Sequence, residues 1–162
     1  GRVPYAEALA VQDAMFRHGT GNRLLLMEHP HVFTYGPSAD LKKNLRCDPA
    51  EVGADFVRVK RGGDITYHGP GQLVGYPILN IDNAIGASQH VCEVEQLVID
   101  TLSEIGVRGA GRMEGYAGVW LDVGTDRVRK ISAIGVRLAH GRTMHGFAFA
   151  PAHAAFDLAA HR

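Results

Sequence analysis

The chain has 162 residues, 46% of them apolar and 21% charged, with 17 basic and 17 acidic side chains and a formal net charge of zero. That apolar share can bury a substantial core in one domain of ordinary length and excludes an intrinsically disordered chain. The balanced charge removes any overall pull toward nucleic acid or an acidic membrane, and no apolar run approaches the roughly 20 residues that span a bilayer.

The opening Gly1-Arg2-Val3-Pro4-Tyr5 lacks the basic, apolar, small-residue order of a secretory signal. The cysteines, Cys47 and Cys92, sit in no metal-ligand spacing and read as free thiols of a reducing compartment, so a cytoplasmic location is expected. The nine histidines are scattered from His18 to His161, and the closest pair, His29 and His31, is split by Pro30; no metal is expected.

Pro4 followed by Tyr5, Ala8, Leu9 and Phe16 at helical spacing, with Gly19 beyond, predicts a first helix. Asn22 to Glu28 is a short apolar run that suits a buried strand, and His31 to Gly36 reads as another, ended by Pro37. Phe56-Val57-Arg58-Val59-Lys60 alternates as a half-buried strand should. Ser88 introduces the clearest helix, with Val91, Val94, Leu97, Val98, Leu102 and Ile105 on its apolar face, Cys92 at a packing position, and Gly106 closing it. Strands are then expected over 117–123, 129–138 and 143–150, the last two joined by a hairpin turn at His140-Gly141. The order predicts a single α+β domain with a mixed or largely antiparallel sheet flanked by helices, not a doubly wound parallel sheet.

The most informative stretch is Arg61-Gly62-Gly63-Asp64-Ile65-Thr66-Tyr67-His68-Gly69-Pro70-Gly71-Gln72-Leu73-Val74-Gly75-Tyr76-Pro77. Its glycines permit close backbone approach, and Arg61, Thr66, Tyr67 and His68 offer polar tips for a groove that takes an extended, partly apolar ligand. Two tight turns between strands explain the same composition. With no Gly-Lys-Ser/Thr following, it is not a phosphate-binding loop.

This segment, with Ile78, resembles the signature of the lipoyl(octanoyl) transferases, the octanoyl-carrier-protein:protein N-octanoyltransferases. Shorter runs follow the order of that family: Leu26 to Thr34, Gly118-Val119-Trp120-Leu121, Lys130 to Val136, and His145-Gly146-Phe147-Ala148. The resemblance covers about Pro4 to Ala148 and implies the catalytic-domain fold of biotin and lipoate protein ligases. It implies transfer of an octanoyl group from octanoyl-acyl carrier protein to a lysine of lipoyl domains, through a cysteine thioester and without a cofactor. The implied acceptors are the E2 subunits of 2-oxoacid dehydrogenases and the H protein of glycine cleavage. By the same resemblance Arg61, Gly62, Gly63, Asp64, Ile65, Thr66, Tyr67 and His68 line the acyl site, together with Ala133, Ile134, Gly135, Gly146, Phe147 and Ala148, and Lys130 is the active-site lysine. By spacing alone Lys130 reads as a solvated neighbour of Arg127 and Arg129. His68 is expected as a hydrogen-bonding wall residue, His29 and His145 as satisfied buried groups, and Phe147 and Tyr76 as packing.

One element of the family pattern is absent. After His-Gly-Phe-Ala the family continues to a Pro-Cys-Gly that supplies the nucleophile, whereas this chain runs Phe149-Ala150-Pro151 to Arg162 with no cysteine beyond Cys92. Counted from Lys130, the family cysteine falls at or past Arg162, so the domain over 1–162 is expected to be C-terminally incomplete relative to the family and inactive or very weak as given. A fragment, a natural variant that has lost the thiol but kept the pocket, and takeover by Cys47 or Cys92 are the open explanations. Two other readings remain open: an ATP-dependent lipoate or biotin protein ligase, and a non-catalytic module that binds acyl chains or carrier protein. Lys42-Lys43 with Arg46, and Arg127-Arg129 with Arg137, are candidate basic rims for acidic protein partners.

Overall fold

The computed structural model describes residues 1–81 and 84–150, together with the backbone of Phe156–Asp157. Helix α1 (Tyr5–His18) is capped by Pro4 and buries Tyr5, Ala8, Gln12 and Phe16, one helical face. Strands β1 (Arg23–Met27) and β2 (Val32–Tyr35) follow, then a single helical turn α2 (Leu41–Asn44) and β3 (Asp55–Arg58). The glycine-rich segment supplies β4 (Thr66–His68) and leads into β5 (Val74–Ile78), buried throughout. Helix α3 (Ala87–Glu104) precedes β6 (Gly111–Met113), β7 (Tyr116–Leu121), β8 (Arg129–Ala139) and β9 (Arg142–Phe149). The short strand β10 (Phe156–Asp157) pairs with the start of β8.

The main sheet runs β1-β5-β9-β8-β7-β6, every neighbour antiparallel. A second sheet, β3-β2-β4, joins β2 parallel to β3 and antiparallel to β4. The fold is therefore α+β with mixed sheets, as the element order predicts. The two long helices cover opposite faces of the main sheet. On one face Ala8 of α1 packs with Val74, Tyr76 and Ala148. On the other, Val94, Val98 and Leu102 of α3 pack on Val119 and Phe147. Phe147 lies over Gly75, its partner in the β5–β9 register, where a Cβ would overlap the ring. The β8–β9 hairpin turns at His140 (φ 54°) and Gly141 (φ 68°), the two left-handed residues that a two-residue turn between twisted strands requires.

Several sequence expectations are corrected. The strand β1 is a sheet edge, paired with β5 alone; Leu25 and Met27 reach the core, but Leu24 and Leu26 are each 51% exposed. A continuous apolar run does not reveal that only one of its faces is covered. Helix α3 is capped by Gly86 rather than introduced by Ser88, and Leu97 and Cys92 are exposed on it. The spacing places Leu97 beside Val98, but the 94–98–102 row, joined by Ile99, is what meets the sheet, and Ile105 at the C-cap is exposed. The Arg127–Arg129–Arg137 rim does not form. Arg129 is paired with Asp122 at 2.6 Å, whereas Arg137 lies over the Phe16 ring at 4.6 Å, eight residues and about 27 Å further along an extended strand. No described helix is long and apolar enough to cross a membrane.

Candidate functional site

The loop after β3 docks on the middle of β8. Gly62 N–H donates to Val136 O at 2.9 Å, and a Cβ on Gly135 would stand 3.1 Å from both Gly62 O and Arg61 Cδ, so this crossing needs glycine. Arg61 is buried and ties the loop together. Its Nη1 donates to Gly62 O (3.0 Å) and Asp64 O (2.9 Å), and its Nη2 to Thr34 O (2.8 Å) and Thr34 Oγ1 (2.9 Å). The guanidinium thus fixes the loop against β2 and remains a buried cation with no carboxylate in its hydrogen-bond set.

Two cavities flank this crossing, and the motif residues differ in which of them they line. The smaller, about 30 Å³, lies toward α1 and is lined by Arg61, Thr66, His68, Ala133, Ile134, Gly135, Gly146, Phe147 and Ala148, with Tyr5, Val74, Tyr76 and His145. The larger, about 600 Å³, is bounded by Gly62, Gly63 and Ile134–Val136, by Ala87, Ser88, Val91, Cys92 and Glu95 of α3, and by Arg112–Ala117 of the β6–β7 hairpin. Asp64, Ile65, Tyr67 and Lys130 line neither. Asp64 instead accepts from Ile65 N–H at 2.7 Å and from Asn44, and the Tyr67 hydroxyl meets His31 Nδ1 at 2.6 Å. Room of 30 Å³ suits about one water, whereas small-molecule pockets span about 300–1,000 Å³. Only the larger cavity is of a size for an acyl chain.

The smaller cavity is walled by neutral imidazoles. His68 Nδ1 donates to Gln72 Oε1 at 2.6 Å, and burial, reinforced by His29 and Arg61, takes its pKa down to about 4. Burial, with Arg61, Arg137 and His68 nearby, takes His145 down to about 3. His29 donates from Nδ1 to Val3 O and accepts from the Tyr76 hydroxyl, each at 2.7 Å, and burial lowers its pKa too. The Tyr5 phenol beside them is raised by burial to about 12. The wall therefore carries Arg61 as its charge at neutral pH. His29 and His68 are satisfied as expected, but His145 is not: its Nδ1 has no hydrogen-bond partner among the described residues. Its backbone sits at φ 62° because its N–H turns from the ladder to Gln12 Oε1.

Lys130 belongs to the α3 side. Between the pairs Val119↔Ser132 and Trp120↔Lys130 the β7–β8 register slips by one, leaving Ile131 without a partner on β7. Such a bulge re-aims side chains. Ile131 joins the Val94–Val98–Leu102 core, while the Lys130 stem passes Gly118, whose N–H is bonded to Glu95 of α3. The Lys130 Nζ lies 4.5 Å from the Trp120 ring centroid, and burial lowers its pKa while Glu95 opposes that fall. It is thus not the solvated strand lysine that spacing alone suggests.

Sequence reading overlooked Glu95, Arg112 and the Tyr116–Ala117 wall of the larger cavity. A signal for Glu95 was present: Val91, Glu95, Val98 and Leu102 share one helical face, and a carboxylate on an apolar stripe is costly unless it is paired. Arg112 carried no such mark, because a strand pairing brings it to α3 from 17 residues away.

A family model described as the lipoyl protein ligase A/B catalytic domain matches residues 4–152. An octanoyltransferase of Flavobacterium johnsoniae is 51% identical over 133 residues, which are 80% of this chain and 56% of that protein. An octanoyltransferase of Bacteroides fragilis is 44% identical over 158 residues, covering 90% of this chain and 71% of its own length. This chain thus spans little more than half of the Flavobacterium protein. Among solved structures, a bipartite lipoate protein ligase of Thermoplasma acidophilum, described with its E2 lipoyl domain, superposes with a TM-score of 0.72 at 20% identity, over 98% of this chain and 62% of that one. A lipoate-protein ligase A bound with ATP gives 0.68 at 17% identity, over 98% and 66%. These last two share the fold. With a match over nearly all of its described residues and half-identical relatives across the motifs, the chain belongs to the lipoyl protein ligase A/B catalytic-domain family.

Proposed function

We propose that this chain provides the acyl-binding and lysine-bearing part of a cytoplasmic octanoyltransferase, which moves an octanoyl group from octanoyl-acyl carrier protein to a lysine of lipoyl domains. The acceptors on this reading are the lipoyl domains of 2-oxoacid dehydrogenase E2 subunits and the H protein of glycine cleavage. The observation that carries the proposal is the 600 Å³ cavity between Gly62–Gly63, Ile134–Gly135 and α3, with the Lys130 stem beside Gly118, the residue bonded to the cavity's Glu95 wall. The identity to octanoyltransferases supports the choice of acyl group.

The chemistry is two acyl exchanges. A thiolate attacks the donor thioester carbonyl; its new C–S bond forms as the carrier's C–S bond breaks, and the carrier thiolate leaves. The acceptor's neutral amine then attacks the acyl-enzyme carbonyl, the C–N bond forms, and the enzyme thiolate departs as the amine gives up a proton. Thioester energy drives both steps, so ATP is not required. Lys130 as an ammonium favours thiolate over thiol, and its burial-lowered pKa suits it to exchange the proton. Cys92 lines the cavity from α3 but makes no hydrogen bond to Lys130, and Cys47 lies exposed in a loop. Neither is assigned as the nucleophile.

Titration of the isotopically labelled chain with octanoate is expected to shift the amides of Gly62, Gly63 and Gly135. Butyrate should bind about 200-fold more weakly, since each of the four missing methylenes contributes about 0.8 kcal/mol when buried. Incubation with octanoyl carrier protein should leave the mass of the chain unchanged. Amide shifts confined to other surfaces, or a stable octanoyl adduct on Cys92, would overturn the reading.

A further inference from the structure

Glu95 is a buried carboxylate on the apolar face of α3 and lines the larger cavity. Its Oε1 accepts from Gly118 N–H at 2.9 Å, and its Oε2 accepts from Arg112 Nε at 3.0 Å. Gly118 is where the lysine passes. A Cβ there would stand 3.4 Å from Lys130 Cε and 3.5 Å from Cδ, so the aliphatic stem lies in the space that glycine leaves open. We propose that Glu95 is a positioning residue: it clamps α3 to the β7–β8 bulge through Gly118 and holds the Lys130 ammonium beside the cavity, while Arg112 shares the same carboxylate and limits how much of its charge reaches the lysine.

This inference rests on the reading of Lys130 as the working amine. The surroundings of Lys130 leave Glu95 as its described counter-charge. From β7 it meets the Trp120 ring, and on its own strand Arg129 is held by Asp122. In the β6–β7 hairpin, Glu114 lines the cavity and Arg112 faces Glu95. Across β10 the backbone partner is Phe156, with Asp157 against Arg129. Arg112 is anchored besides on Cys92 O (2.8 Å) and Gln96 Oε1 (3.1 Å), which keeps its fork on α3. The cluster is thus a line of alternating charge, Arg112–Glu95–Lys130, whose first two members line the acyl cavity. An ammonium held in that line would meet a thioester or a thiolate as a fixed cation, with no side-chain search needed at the moment of reaction.

The test is the pH dependence of acetylation of Lys130 by brief pulses of an amine-reactive reagent, read by peptide mass spectrometry on the intact chain. Lys42, Lys43 and Lys60 serve as internal references. Glu95→Gln keeps an acceptor for Gly118 N–H but removes the anion, so the Lys130 midpoint should move to lower pH and labelling at pH 8 should rise several-fold. Arg112→Met frees the carboxylate for the lysine, so the midpoint should move to higher pH and labelling should fall two- to threefold. Loosened structure would accelerate labelling in both variants. Shifts of the same sign, or none in either, would overturn the proposal, and if Glu95→Gln does not fold, a fall in Arg112→Met decides for it and any other result against it. Octanoate titration of the same variants separates this pairing from the acyl reading: absent binding in the wild-type chain defeats the latter, whatever the labelling shows.

Discussion

At the scale of single residues, the buried histidines set a pH dependence of stability. Above their unfolded pKa of 6.5, His68 and His145 are neutral in folded and unfolded chains and cost nothing. As pH falls below that value the unfolded chain binds protons that the folded one refuses, so stability declines with falling pH. The decline continues until the folded values are reached, about 4 for His68 and about 3 for His145. His68 alone accounts for about 3 kcal/mol across that window. Urea midpoints measured between pH 7 and 4 should therefore fall steeply, and His145→Gln should flatten the slope by up to one proton. A flat profile in the wild-type chain would show that the imidazoles are protonated in the fold. The roles of these residues were partly legible beforehand. His68 behaves as a hydrogen-bonded wall residue and His29 as a satisfied buried group, but neither the left-handed backbone of His145 nor its Nδ1, unpartnered among the described residues, is foretold by its neighbours in sequence.

At the scale of elements, the β7–β8 bulge has the most consequence, because it turns Lys130 toward α3. Gly118 permits it, standing at φ 120° with Ser132 O 2.5 Å from where a Cβ would sit. Gly118→Ala should cost about 3 kcal/mol, combining strain with the clash, and displace the Lys130 stem; chemical denaturation with Trp120 fluorescence measures both. The edge strand β1 offers a second contrast. Leu24→Ser should change stability by less than about 0.5 kcal/mol, while Leu25→Ala, opposite Tyr76 and within the α1 core, should cost about 2 kcal/mol. Equal losses at both positions would mean that the outer face of β1 is covered. A short apolar run made β1 a strand in the sequence, but which face was covered depended on where α3 landed. That helix lies over β7 and β8, and so leaves Leu24 and Leu26 outside.

At the scale of the whole molecule, the larger cavity is assembled from parts distant in the chain: the Gly62–Gly63 loop, α3, the β6–β7 hairpin and the middle of β8. Each wall is secured by its own contact, Gly62 on Val136, Glu95 on Gly118 and Arg112 on α3. The helices, the β8–β9 hairpin, the α+β class and the family motif were determined by the sequence alone, because periodicity, turn residues and motif order are properties of consecutive residues. The tertiary structure alone decided which motif residues line two separate cavities and which line neither, that Lys130 and Glu95 meet at Gly118, and that Arg129 and Arg137 lie apart. Those outcomes depend on one slipped register and one helix docking, where the free energy belongs to pairs of residues that the chain brings together only when it folds.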